Sequence, residues 1–304
     1  MMRKWTTSHM PSQAGRAAVV TGTGGLGFEV ALALSRAGAE VVIAGRDPRK
    51  GAEAVSRIES CVPAAKARFE VLDLASLNSI ALFIERLRAD RQRVDLLVNN
   101  AGVMVPPKRR ETEDGFELQF GTNHLGHFAL TGQLMPLLRA STGARVVSVS
   151  SVAARSGSVD WNEWNASAGY TAMPVYARSK IACLMFAFEL ERRSVAAGWN
   201  ITSIAAHPGV SRTELLHKGP GRGSVQSRVR SLLPFLFQPA AQGALPLLFA
   251  AAAPEARAGG YYGPDRLGET RGYPAEAQIP PQALDRAAGE RLWALSENAT
   301  GVRF

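Results

Sequence analysis

Apolar residues along this chain follow two alternating rhythms. Short, nearly continuous apolar runs fall at residues 16–21, 40–45, 69–74, 94–98, 145–149 and 200–205. Runs of that length read as strands buried on both faces. Between them, apolar residues recur every three or four positions. Val30, Leu32 and Leu34 mark one such stretch, ending at Gly38, and residues 49–60 a second. A third runs from a Ser76 cap to Leu87, and a fourth spans residues 115–138. A fifth holds Ile181, Leu184, Phe188 and Leu190. These spacings predict helices. Strand and helix in regular alternation predict an α/β fold: a doubly wound, mostly parallel sheet in three α/β/α layers. Residues 1–15 read as an irregular arm. No repeat or linker interrupts the pattern, so one domain over residues 1–304 is expected.

The first predicted strand runs directly into Gly22-Thr23-Gly24-Gly25-Leu26-Gly27, which opens the first helix. Strand, glycine-rich turn, helix and strand within about 30 residues is a dinucleotide-binding unit. Glycines let the backbone approach a pyrophosphate, and the helix N-terminus offers N–H groups and a positive dipole end. Arg46 follows the second strand, where an adenosine ribose would lie. An arginine there suits a 2′-phosphate, whereas an acid would hold a 2′-hydroxyl. Asp47 comes next and is either that acid or the cap of a helix with Pro48 at its first position. NADP is the expected cofactor and NAD the alternative. Asp73, Asn99, Ser151 and Pro208 sit at the ends of later strands. Ligands of such sheets bind beyond those carboxyl ends.

Tyr176 and Lys180 stand four apart at the front of the fifth predicted helix. That spacing puts both on one face. A free phenol keeps its proton to a pH of about 10. A neighbouring ammonium favours the phenolate, which suits proton exchange with a carbonyl or alcohol oxygen. Tyr170 is a rival phenol with no lysine four residues on, and Ser150 a rival of Ser151. His124 and His127 read as helix-packing residues, since no partner shows metal-ligand spacing; no metal is expected.

The chain has 304 residues, a net charge of +9 and 35 basic residues, of which six are lysine. The arginines are scattered, and Lys108-Arg109-Arg110 is the one tight basic run. No basic helix with interleaved aromatics accompanies it, so a solvated surface is expected and no nucleic-acid partner. Cys61 and Cys183 lack metal-like spacing and point to free thiols in a reducing compartment. No apolar run is long enough to cross a bilayer, and the first residues carry no leader-like apolar stretch. A cytoplasmic protein without membrane insertion is expected.

In order, the motifs resemble the short-chain dehydrogenase/reductase family over residues 16–265. They are the glycine loop after Thr21, Asp73, Asn99-Asn100-Ala101-Gly102, Asn123, Ser151, Tyr176 with Lys180, and Pro208-Gly209 with Thr213. The long gap from Ser151 to Tyr176, holding Trp161 and Trp164, is similar to the retinol-dehydrogenase-like and protochlorophyllide-reductase-like branch. So are Gly260-Tyr261-Tyr262-Gly263-Pro264 and the Arg291-Leu292-Trp293 helix. The resemblance implies about seven strands in the order 3-2-1-4-5-6-7. It implies hydride transfer between NADP(H) and a carbonyl or alcohol carbon. Tyr176 would be the general acid/base, Ser151 would position the substrate oxygen, Lys180 would hold the nicotinamide ribose, and Asn123 would support a water-linked proton relay. The cofactor would be held by the loop residues Gly22 to Gly27 and by Arg46, Asp73, Leu74, Asn99, Ala101 and Gly102. Pro208, Gly209 and Thr213 would complete that set.

The resemblance also implies that residues 211–239 lie over the substrate pocket; their apolar cluster, Leu232 to Phe237, either lines that pocket or belongs to the core. The same segment carries Arg222, Arg228 and Arg230. A small-molecule carbonyl or alcohol of lipophilic character is the expected partner, with homo-oligomerisation left open. One departure stands out: the loop Thr21-Gly22-Thr23-Gly24-Gly25-Leu26-Gly27 is one residue shorter than the family's usual Thr-Gly-x-x-x-Gly-x-Gly. A dinucleotide-binding sensor without turnover is the alternative reading that this departure supports.

Overall fold

The computed structural model describes residues 4–211 and 238–304. Thr213 and nearly all of the expected lid, including Leu232 to Phe237 and the three arginines, lie outside the described residues. The first half of the chain alternates β1 (Ala17–Thr21), α1 (Gly25–Arg36), β2 (Glu40–Gly45), α2 (Pro48–Cys61), β3 (Lys66–Val71), α3 (Leu77–Asp90) and β4 (Leu96–Asn99). The second continues with α4 (Gly126–Arg139), β5 (Ala144–Val149), α5 (Ala172–Ala197), β6 (Ile201–Ala206), α6 (Leu245–Ala252), β7 (Tyr261–Arg266), β8 (Arg271–Glu276) and α7 (Arg286–Thr300).

The strands form one eight-stranded sheet in the order β3-β2-β1-β4-β5-β6-β7-β8. Seven are parallel in the expected order. β8 adds an antiparallel edge strand through a hairpin from β7.

Alternate residues of each central strand face opposite sides, as the pleat requires. Val20, Ile43 and Val98 pack with Phe28, Leu34, Ile58 and Leu248 on one face. Val19, Val42 and Leu97 pack with Phe83, Phe128 and Leu134 on the other. This two-sided burial explains the continuous apolar runs. The N-terminal arm is tied down by Trp5, whose ring meets Phe249 edge-on at 5.5 Å.

Two elements depart from the sequence pattern. β3 starts three residues before the predicted run, because its Lys66, Arg68 and Glu70 belong to a sheet edge that solvent reaches. Charged residues on an edge blunt further pairing, and they hid the strand's start. The fourth predicted helix is broken. Its first turn starts at Leu118, a π-turn covers Gly121–Leu125, and α4 follows. Residues before Leu118 instead form a bridge between Glu111 and Glu117.

Candidate active site

The first βα turn is shaped by collisions that side chains would cause. Gly22 has a φ of +100°, and a Cβ on it would lie 2.9 Å from Asn100 Nδ2. Gly27 passes so close beneath that its Cβ would sit 2.3 Å from the Gly22 carbonyl oxygen. Both positions require glycine for packing alone. Gly24, the N-cap of α1, differs: a Cβ there would meet nothing within 4 Å. Open space above a bare backbone at a helix N-terminus leaves room for a pyrophosphate. The shortened loop still builds a compact turn between β1 and the N-terminus of α1.

Thr21 joins this turn to the next one. Its hydroxyl accepts the N–H groups of Asn100 and Ala101, each at 2.9 Å. Asn100 Nδ2 returns a bond to the Thr21 carbonyl at 2.7 Å. The Thr21 hydroxyl also lies 3.0 Å from His127 Nε2. His127 Nδ1 lies 2.9 Å from the Asn123 carbonyl. A carbonyl only accepts, so Nδ1 carries the proton, and in the neutral ring Nε2 accepts from the Thr21 hydroxyl, which also lies 3.3 Å from the Val98 carbonyl. Burial pulls the His127 pKa down to about 4, with the Lys180 charge adding to the effect. A neutral ring thus bridges the end of β1 and the π-turn. The sequence had offered His127 only as helix packing. Its signal was the i,i+4 spacing from Asn123. His124 does pack, among Phe120, Phe128 and Phe186, and burial takes its pKa to about 3.

At the adenosine end, Asp47 Oδ1 accepts the N–H groups of Arg49 at 3.1 Å and Lys50 at 3.3 Å. It is the cap of α2, while Arg46 stands exposed at the sheet edge. Asp73 Oδ1 accepts Ala75 N–H at 2.9 Å, and Leu74 beside it is buried. The Asn99 side chain turns inward, its Nδ2 donating to Thr131 Oγ1 at 3.0 Å. Asn99 can therefore face a ribose only with its backbone. Gly102 must stay bare, since a Cβ would sit 2.8 Å from Asn123 Oδ1 and 3.8 Å from Lys180 Nζ.

Tyr176 and Lys180 occupy the first turns of α5, both buried, at 6% and 5% exposure. The Lys180 ammonium lies 5.9 Å from the centre of the Tyr176 ring. It donates to the Val149 carbonyl at 3.0 Å, two residues before Ser151. That bond fixes the ammonium between α5 and the end of β5. Ser151 is half-buried at the edge, where it caps a short 3-10 turn, Val152–Ser156.

The rivals are engaged elsewhere. Ser150 donates to the Lys180 carbonyl at 2.8 Å. The Tyr170 hydroxyl donates to the Pro106 carbonyl at 2.8 Å, and burial, with Glu117 nearby, pushes its pKa up to about 12.

Asn123 lies within the π-turn. Its side chain accepts Val103 N–H at 2.8 Å and donates to the Val103 carbonyl at 3.0 Å and Ser179 Oγ at 2.9 Å. Its own carbonyl accepts from His127 and from Cys183 Sγ at 3.1 Å. These bonds lock the segment following Asn99-Asn100-Ala101-Gly102 onto α5. Pro208 and Gly209 follow β6. Gly209 has a φ of +64°, and a Cβ there would lie 2.3 Å from the Thr270 carbonyl oxygen. Among the described residues, no group of three His, Cys, Asp or Glu could hold a metal. No described helix is long and apolar enough to cross a membrane.

The family model for the short chain dehydrogenase matches residues 16–220. Polyprenol dehydrogenase of Mus musculus is 42% identical over 300 residues, covering 96% of this chain and 86% of that relative. Retinol dehydrogenase 13 of Homo sapiens is 38% identical over 301 residues, covering 96% of this chain and 87% of the relative. An uncharacterised protein from Mycobacterium Paratuberculosis has a crystal structure that superposes with a TM-score of 0.82 at 36% identity, covering 99% of both chains. The Pseudomonas aeruginosa RhlG/NADP complex superposes at a TM-score of 0.64 and 27% identity, covering 82% of this chain and 94% of that one. With its glycine-rich β1–α1 turn, its eight-stranded sheet and these relatives, the chain belongs to the short-chain dehydrogenase family of oxidoreductases, in the retinol-dehydrogenase-like branch.

Proposed function

We propose that the protein is an NADP(H)-dependent oxidoreductase of a lipophilic alcohol or carbonyl compound, with Tyr176 as its general acid/base. The observation that carries this reading is the buried Lys180 ammonium, 5.9 Å from the Tyr176 ring centre and beside the bare backbone of Gly102. When bound, the cofactor supplies the hydride donor or acceptor. The remaining work falls to the chain. Gly22 to Gly27 hold the pyrophosphate, with Gly24 giving the close approach. Asp73, Leu74, Asn99, Ala101 and Gly102 line the adenosine side. Arg46 takes the 2′-phosphate, because Asp47 is engaged as a helix cap.

Ser151 orients the substrate oxygen. Tyr176 delivers or removes the proton at that oxygen, and the Lys180 charge stabilises negative charge growing on the phenol. Lys180 would also reach the nicotinamide ribose, and Pro208 and Gly209 would close the nicotinamide end. Asn123 acts by position. Its amide and carbonyl are engaged with Val103, Ser179, His127 and Cys183, so it holds Gly102 against α5 and fixes the place from which it would support a water-linked relay.

Two features favour a lipophilic substrate. The relatives above are named for polyprenol and retinol. Val103, Met104 and Val105, half-buried and apolar, follow Gly102 directly. Val105 is held at a φ of +53° by Gln119, whose Oε1 accepts its N–H at 2.7 Å. A β-branched residue there is strained and is kept where its setting over-determines it. The free thiols of Cys61 and Cys183 favour a cytoplasmic setting.

A chain-length series of straight aldehydes with NADPH tests the reading. Each buried CH₂ is worth about 0.8 kcal/mol, so kcat/KM should climb several-fold per carbon before levelling. A flat profile sinks the lipophilic assignment, and bound NADPH that no aldehyde or ketone oxidises sinks the enzyme.

A further inference from the structure

The hairpin between β7 and β8 ends in a strained tip. Leu267, Gly268 and Glu269 have φ of +50°, +64° and +65° in succession. Two of the three are not glycine, and such backbone persists only where surrounding contacts enforce it. Those contacts converge on the Glu269 carboxylate. Arg155 Nη2 lies 2.7 Å from Oε2, and His207 Nε2 lies 2.9 Å from the same oxygen. Oε1 accepts Gln278 N–H at 2.8 Å.

His207 has a defined tautomer. Its Nδ1 accepts Gly209 N–H at 3.2 Å, so Nε2 carries the proton and donates to Glu269. The ring is 1% exposed and rests over Gly263, where a Cβ would strike it. Arg155 also grips the tip through the Gly268 carbonyl, at 3.2 Å. The tip in turn holds the segment after Gly209: Val210 N–H donates to the Thr270 carbonyl at 2.8 Å.

Arg155 sits on the turn that Ser151 caps, and His207 opens the turn of Pro208 and Gly209. These two turns come from different strands, β5 and β6, and have no covalent link shorter than the whole of α5. We propose that Glu269 is a positioning residue that ties the Ser151 turn to the Pro208-Gly209 turn, fixing their spacing across the reacting oxygen. The proposal rests on the oxidoreductase reading, since it takes Ser151 and Gly209 to flank substrate and nicotinamide. A carboxylate shared by two donors from two loops resists separation of either, because parting them leaves a charge without its partners. The cofactor's adenosine end lies across the sheet and does not feel the tie.

The full chain, NADPH and decanal provide the test, with kcat expressed per NADPH-binding site so that misfolded protein does not count. A bond to a charged group carries enough energy for about a ten-fold effect. Glu269→Ala and Arg155→Ala should each lower per-site kcat by about that factor, with the Kd for NADPH unchanged. Glu269→Gln, which keeps an acceptor for His207, should recover part of the loss. The double variant Arg155→Ala/Glu269→Ala should fall no further than Glu269→Ala alone.

Hydrogen exchange reads the tie without turnover. The amides of Ala154, Gly157 and Val210 should speed up together in Glu269→Ala. Arg155→Ala and Glu269→Gln carry the same comparison if Glu269→Ala does not fold. Unchanged per-site kcat, or faster exchange confined to the hairpin, overturns the proposal. A parent protein that binds NADPH yet oxidises none of it overturns the enzyme reading instead, and exchange then decides whether the tie exists.

Discussion

On the β1–β4 side of the sheet, the turns at the ligand edge are shaped by what a side chain would collide with. On the β5–β8 side they are shaped by what distant side chains hold. Gly22, Gly27 and Gly102 each leave no room for a Cβ. Their neighbours are backbone oxygens and the amides of Asn100 and Asn123, close in space and set by short motifs. Across the sheet, Ser151, Tyr176 and Gly209 are placed by Lys180 on the Val149 carbonyl, by Ser150 on the Lys180 carbonyl, and by the Glu269 carboxylate. The difference teaches that one edge of the site is shaped by removing atoms and the other by holding them. His127 spans the two, with one ring nitrogen toward Thr21 and the other toward Asn123.

The sharpest way to separate the sides is Tyr176→Phe. It deletes one oxygen from the β5–β8 side and should lower kcat by about 10²–10⁴-fold. NADPH affinity, measured by fluorescence titration, should stay near that of the parent. Retained turnover would remove Tyr176 from the chemistry.

Arg46→Ala acts on the other side. A charge-assisted contact to a 2′-phosphate is worth roughly 1.5–3 kcal/mol, so NADPH binding should weaken about ten-fold or more. NADH binding should change little, and kcat at saturating NADPH should hold. Equal losses for both cofactors would move the adenosine ribose to Asp47.

A third effect is on stability and concerns His127, which joins the sides, and its neighbour His124. His127 and His124 are neutral when folded, with pKa values near 4 and 3, against about 6.5 unfolded. Between those values the unfolded chain binds more protons, so stability rises with pH. It should be fully present above a pH of about 6.5 and fall on acidification, by on the order of 1.4 kcal/mol per pH unit per histidine. Urea midpoints at pH 7 and pH 5 measure the slope, and His127→Gln should flatten it. A slope unchanged in that variant would mean that His127 is charged in the fold.

Most of the β1–β4 side was legible in the chain. Periodicity located β1, β2 and β4, and the glycine spacing marked the tight turn that opens α1. β3 was misplaced by three residues because an edge strand with alternating charges has no apolar run to read. The π-turn at Gly121–Leu125 was invisible, since one extra residue in a helical turn leaves the apolar spacing nearly intact. Tyr176 and Lys180 were readable as an i,i+4 pair on a helix that the structure confirms. The Glu269 tie was not. Arg155, His207 and Glu269 are separated by 52 and 62 residues, and no local pattern distinguishes them from the many other charged residues. Asp47 shows the reverse: two readings were open from its neighbours, and its bonds to Arg49 and Lys50 choose the cap.

The buried Lys180 has a practical side. Acylating and cross-linking reagents attack amines that solvent can reach. Lys4, Lys66 and Lys108 are exposed, whereas the Lys180 ammonium is enclosed between α5 and the end of β5 and bonded to a carbonyl. Lysine chemistry can therefore anchor this protein to a solid support, or attach a dye to it, through the outer amines. The one amine beside the Tyr176 ring stays out of reach of such reagents.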